Sequence, residues 1–157
     1  MPYQLSEINE KIRRDPAAFL AECDAHYQER IHAAVDKILA RMKESPIVLL
    51  SGPSGSGKTT TAMKVERELE RRGVNAHTVS MDNYFKTLDR RTAPRNAEGD
   101  IDYESPRLLD MDLLDDTFTK LSHGEWVVVP KFEFARQMRN DSRGTPLKLG
   151  ENEIAIF

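Results

Sequence analysis

The chain has 157 residues, 23 of them basic and 26 acidic, for a net charge of −3, and a single cysteine, Cys23. That length suffices for one domain with a core, and the slight acidic excess argues against a general nucleic-acid binder. A lone cysteine makes no internal disulfide, which points to a reducing, cytoplasmic setting. No apolar run approaches the ~20 residues of a membrane span, and the first residues lack a signal-peptide core.

Residues 4–14 predict a short helix. Asp15-Pro16 reads as a cap and first-turn proline, and a long helical pattern follows to about Glu44. Leu20, Cys23, Tyr27, Ile31, Val35, Ile38 and Met42 recur at steps of three and four, giving an apolar stripe. At 1.5 Å per residue this helix spans roughly 40 Å. Two readings stay open for it: a helix packed along the domain, or a dimer-forming or regulatory arm. Pro46 ends it, because the residue before a proline resists the α region.

Pro46-Ile47-Val48-Leu49-Leu50 reads as a buried parallel strand. Directly after it stands Gly52-Pro53-Ser54-Gly55-Ser56-Gly57-Lys58-Thr59, which fits G-x-x-x-x-G-K-[ST] at every fixed position. A helix is predicted from about Lys58 to Arg72. Strand, glycine loop and helix together form a phosphate cradle. Glycines let backbone N–H groups turn inward on a polyphosphate, and the helix points its positive end at the same oxygens. The motif places Lys58 along the β- and γ-phosphates and gives Thr59 a hydroxyl for Mg²⁺. Ala62, Val65 and Leu69 face the core; Glu66, Arg67, Glu68, Glu70, Arg71 and Arg72 face water. Gly73 stops the helix.

Val74 to Met81 predicts a second strand ending in Asp82. Ligands of open parallel sheets gather beyond the carboxyl ends of the strands, so Asp82 is expected near the phosphates, as a Mg²⁺ ligand, a proton acceptor or a turn cap. Residues 86–107 form a long polar loop of the kind that is usually functional or mobile. Asp110 or Asp112 caps a helix carrying Leu114, Phe118 and Leu121, closed by Gly124. Trp126 to Pro130 is a strand, with Trp126 as a hairpin core residue, and Lys131 to Phe134 continues extended. Arg136 to Gly144 reads as a charged loop, Pro146 to Leu149 as a hairpin partner, and Glu153 to Phe157 as an apolar strand. His26, His32, His77 and His123 lack metal-ligand spacing.

The segments from Ser51 to Thr60, Ser80-Met81-Asp82-Asn83-Tyr84-Phe85, Asp102-Tyr103-Glu104-Ser105-Pro106, Asp112-Leu113-Leu114 and Pro130-Lys131-Phe132-Glu133-Phe134 together resemble the uridine kinase and phosphoribulokinase family of P-loop kinases. The resemblance covers roughly residues 45–157 and leaves 1–44 as an N-terminal helical extension. It implies an α/β fold: a P-loop parallel sheet flanked by helices, with the added long helix and a small β-hairpin. It implies ATP and Mg²⁺ as cofactors and transfer of the γ-phosphate to a hydroxyl of a nucleoside-like small molecule. Gly52, Pro53, Ser54, Gly55, Ser56, Gly57, Lys58, Thr59 and Thr60 would hold ATP, and Thr59 and Asp82 the metal. Asp82 and Lys58 would be catalytic, and Tyr84, Glu104, Phe132 and Arg139 would meet the acceptor.

The acceptor segments depart from the uridine kinase pattern. Glu104-Ser105 stands where Asp-His is usual, Phe132-Glu133-Phe134 replaces Tyr-Asp-Phe, and Gln137 replaces a histidine. These changes remove polar groups that would recognise a base, and they leave open a kinase for a sugar or alcohol, or a non-catalytic ATP-binding module. Glu104 reads equally as exposed loop charge, and Phe132 and Phe134 as strand core. The family pattern continues past the last strand into further helices, an arginine-bearing lid and more strands. Residues 45–157 are therefore expected to be the N-terminal part of a kinase domain, or a shortened relative, inactive alone. The first strand is expected to be an exposed sheet edge, with self-association through that edge or the N-terminal helix.

Overall fold

A computed structural model of the protein describes residues 4–53 and 55–157. Helices α1 (Leu5–Arg14) and α2 (Pro16–Arg41) come first. Asp15 separates them, its side chain accepting from the Ala18 N–H at 3.0 Å while Pro16 opens α2, the pairing that favours a helix start. Of the predicted stripe, Ile31 and Val35 are buried and Tyr27, Ile38 and Met42 are half-buried against the core. Leu20, 64% exposed, is not part of it.

Three parallel strands form the sheet: β1 (Ile47–Val48), β2 (Asn75–Thr78) and β5 (Glu153–Ile156), in the order β1-β5-β2. Ile156 of the central strand registers with Val48 on one side and Thr78 on the other. Alternation along β5 divides the core. Ile154 and Ile156 face α2 and helix α3 (Lys58–Arg71), packing with Ile31, Val35, Ala62, Val65 and Leu69. Ala155 and Phe157 face the opposite side, with Tyr84 and with Leu114 and Leu121 of helix α4 (Met111–Ser122). The expected edge position of β1 is observed.

Helix α3 ends as its sequence predicts. Gly73 takes φ +83°, its N–H donates to Glu70 O at 2.9 Å, and the Val74 N–H donates to Leu69 O at 3.0 Å, the paired bonds of a Schellman stop. Glu68 is a correction. It is buried rather than solvated, because α2 covers that face of α3 and brings His32 and Asp36 to it. Its carboxylate accepts from Arg71 at 2.7 and 2.8 Å and from Arg72 at 2.7 Å. These bonds, Arg71 first, hold its carboxyl down at about 2.

The hairpin pairs β3 (Val127–Glu133) with β4 (Met138–Leu147) antiparallel, with a register irregularity between Val129 and Lys131. Pro130, which has no N–H for the ladder, lies inside that irregularity. The expected charged loop over 136–144 is instead mostly strand. Its polar residues pair across the hairpin: the Asn140 amide donates to Glu133 Oε1 at 2.7 Å, and Arg143 and Arg136 approach Glu133 at 3.6 and 3.5 Å. The Asn140 bond and the two arginines lower the Glu133 carboxyl below the usual range. Trp126 is also corrected: it precedes β3 and is 67% exposed. Phe134 leaves the strand and opens a 3-10 turn, Phe134–Arg136.

Candidate active site

The phosphate loop joins β1 to α3. Gly55 and Gly57 sit at φ +71° and +82°, the left-handed region that glycine enters without a Cβ clash. Gly57 caps α3, so the first N–H groups of the helix, which have no intrahelical acceptor, open toward the loop. A Cβ on Gly52 would fall 2.9 Å from Ser56 Oγ, so the Ser56 hydroxyl would have to turn away to admit one. The Lys58 ammonium spans the loop, donating to Gly52 O at 2.8 Å and Pro53 O at 2.9 Å. Ser54 lies outside the described residues.

Asp82 does not end the second strand directly. It lies on a 3-10 turn, Met81–Tyr84, whose cap is Ser80; the Ser80 hydroxyl accepts from the Asp82 N–H at 3.3 Å. Asn83 ties this turn to the hairpin, its side-chain oxygen accepting from the Phe132 N–H at 3.3 Å.

Two cavities meet at Gly52, Lys58 and Asp82. One, of about 390 Å³, lies over the carboxyl ends of the sheet and reaches Leu50, Thr59, Ser80 and Phe157. The other, of about 490 Å³, runs out between the long loop and the hairpin. Its walls include Phe85, Phe132 and Phe134, whose rings touch edge to face in sequence at 5.6 and 5.1 Å between centroids. Polar groups on it are Lys86, Glu104, Tyr103 and Gln137, and the Gln137 amide donates to the Tyr103 hydroxyl at 3.3 Å. Gln137 sits at φ +52°.

Thus Lys58, Thr59 and Asp82 come together, and Glu104 and Phe132 line the adjoining cavity. Thr60 lies on the exposed first turn of α3 and lines neither. Tyr84 is a correction. It is fully buried behind the site, its ring 6.1 Å from that of Phe157. The reason is the 3-10 turn: residues three apart eclipse, so Asp82 and Phe85 share the cavity side and Tyr84 turns inward. Arg139 is the second correction. It pairs with Asp110 at 2.6 Å and Asp141 at 2.8 Å and lines neither cavity. The Arg139 bond is also the main cause lowering the Asp110 carboxyl, which caps α4 through the Leu113 N–H. Gln137, expected in the acceptor segments where a histidine is usual, does line the cavity, and Phe85 and Tyr103 are further wall residues that the sequence does not single out for the acceptor. The signal for Phe85 was its spacing of three from Asp82.

The donors suit a small hard cation. Such an ion takes one or two protein oxygens and fills its shell with phosphate and water, and the 390 Å³ cavity offers the Thr59 hydroxyl and the Asp82 carboxylate. Among the described residues no cluster of three His, Cys, Asp or Glu side chains could form an all-protein cage. No helix among them is long and apolar enough to cross a membrane.

Parallel sheet, left-handed glycine loop and capped helix define a P-loop kinase fold. The chain belongs to the Phosphoribulokinase / Uridine kinase family, whose sequence model matches residues 47–155. A uridine kinase of Staphylococcus aureus (strain JH9) is 33% identical over 100 residues, covering 64% of this chain and 46% of that protein. The chain thus spans about half the length of the curated relatives it matches. A structure described as a possible uridine kinase from Bacillus stearothermophilus superposes with a TM-score of 0.64 at 22% identity, over 83% of this chain and 70% of that one.

Proposed function

We propose that residues 45–157 are the N-terminal part of an ATP-dependent kinase domain that phosphorylates a hydroxyl of a small-molecule acceptor, with residues 1–44 as a helical extension. The observation that carries this reading is the meeting of the two cavities at Gly52, Lys58 and Asp82. The loop amides and the Lys58 ammonium hold the terminal phosphates and offset the charge that spreads during transfer. Asp82 stands where the acceptor cavity meets them and accepts the hydroxyl proton. Thr59 and Asp82 would hold Mg²⁺, which when bound neutralises phosphate charge and orients the transferred group. Glu104 takes sugar-like hydroxyls, and the rings of Phe85, Phe132 and Phe134 receive a flat or apolar part of the acceptor. This wall favours a nucleoside-like acceptor over a plain sugar or alcohol.

Phosphate transfer from ATP to a panel of nucleosides, sugars and sugar phosphates, measured on the longer protein that contains this part of the kinase domain, tests the reading, with Asp82→Asn as control. A positioned base contributes ~10²–10⁴-fold, so the variant is expected to lose at least that much turnover, and to bind the Mg²⁺–nucleotide complex more weakly as well, because the same carboxylate would hold the metal. Undiminished turnover in Asp82→Asn would remove the carboxylate from the mechanism. Mg²⁺-dependent ATP binding with no acceptor raising transfer above background would favour a non-catalytic module.

A further inference from the structure

Helix α2 lies before the stretch that the family model covers, yet it is attached to α3, the helix that carries the phosphate loop. The Tyr27 hydroxyl and Thr61 Oγ1 are 2.8 Å apart. The Lys64 ammonium sits 4.3 Å above the Tyr27 ring centroid, a cation–π contact that fixes the ring. Thr61 in turn donates its N–H to Gly57 O at 2.9 Å. Gly57 is the last loop glycine, so the Tyr27 hydroxyl reaches the loop backbone through a single residue. At the far end of α3, Arg72 bonds both Asp36 of α2 and Glu68, the latter at 2.7 Å.

Between these anchors the contact is largely apolar, with His32 3.6 Å from the Glu68 carboxylate nearer the Arg72 end, and the apolar part toward the loop by itself sets no direction. It is also incompletely filled near the loop, where a cleft of about 310 Å³ opens among Tyr27, Ile31, Val48, Leu50 and Thr61. Packing therefore leaves the first turn of α3 some freedom, and the directional bond from Tyr27 removes it.

We propose that Tyr27 is a positioning residue for nucleotide binding: through Thr61 it fixes the first turn of α3, and with it the amides that cradle phosphate. This rests on the reading of the loop as an ATP site. Tyr27→Phe keeps the ring, its packing and the Lys64 contact, and removes one oxygen. Thr61→Val removes the partner hydroxyl at nearly constant volume.

The test is calorimetric titration of the 157-residue chain with ADP and Mg²⁺, together with melting temperatures. Each single variant is expected to bind roughly three- to tenfold more weakly, the effect of one hydrogen bond, and the double variant no more weakly than either. A purely structural role would lower both melting temperatures and leave affinity unchanged; that result overturns the proposal. Additive losses in the double variant also overturn it, because they would separate the two hydroxyls. A wild-type chain that binds no nucleotide overturns the ATP-site reading, and the proposal with it. If Tyr27→Phe melts below the assay temperature, Thr61→Val decides alone.

Discussion

Tyr84→Phe separates a residue of the site from a residue behind it. Tyr84 is fully buried, and its hydroxyl makes no hydrogen bond among the described residues. Burial raises the phenol above its ordinary value, offset in part by nearby Thr117. Thr117 commits its own proton to Leu113 O at 2.7 Å, so toward the phenol it can act only as an acceptor. A buried polar group without a partner costs about 1–3 kcal/mol, and removing the oxygen recovers part of this while the ring contacts with Phe157 remain. The variant is therefore expected to gain about 1 kcal/mol, or ~2–4 °C in melting temperature for a domain of this size. Urea unfolding and acceptor kinetics are the two assays, and the acceptor KM is expected to stay at the wild-type value. A loss of more than about 1 kcal/mol would show that the hydroxyl has a partner. A raised acceptor KM would return Tyr84 to the acceptor site and refute the argument from the 3-10 turn.

Glu68→Gln tests the buried network between α2 and α3. The folded carboxyl is held at about 2 against an ordinary 4.5, so its contribution to stability is fully present above pH 4.5 and disappears as pH falls toward 2. Wild type should melt above the variant at neutral pH, with the gap closing through that window; a gap independent of pH would contradict the assignment. Gly144→Ala tests the hairpin: the new Cβ would run into Val128 Cγ1 and lie 2.9 Å from Val129 O. Val128 is exposed and its side chain can turn aside, but the backbone oxygen cannot, so a loss of about 1–3 kcal/mol is expected. An unchanged unfolding midpoint would mean that the strand shifts freely there.

What the sequence made legible was local. The glycine loop, the Asp15 and Asp110 caps and the Gly73 stop each depend on residues a few positions apart, and each is observed. Asp82 could be placed near the loop because strand ends in a parallel sheet converge. The misreadings came from phase and from distant partners. A strand continued through Met81 would alternate its side chains, whereas the 3-10 turn groups Asp82 with Phe85. Glu68 reads as a solvated helix charge until α2 arrives with His32 and Asp36. Arg139 reads as a site cation until the hairpin lays it on Asp110. The polar run of β4 has no alternation, and only its pairing with β3 makes it a strand.

The bonds of Lys58 bear on how the proposed transfer could be fast. An ammonium has three donors, and two are taken by the carbonyls of Gly52 and Pro53 at 2.8 and 2.9 Å. A free lysine would have to lose side-chain freedom when phosphate arrives, at a cost of up to about 2 kcal/mol. Here the loop's own carbonyls impose that order beforehand and leave one proton for a phosphate oxygen. The charge is thus fixed at the junction of the two cavities, where it can act on the transferred group without rearranging. The same logic extends outward. The amides beside Lys58 are steady only if α3 is steady, and α3 is held by β2 and β5 of the sheet beneath it and by α2 along its flank. In this chain the helix that lies outside the family pattern becomes part of the support for the residues that define it.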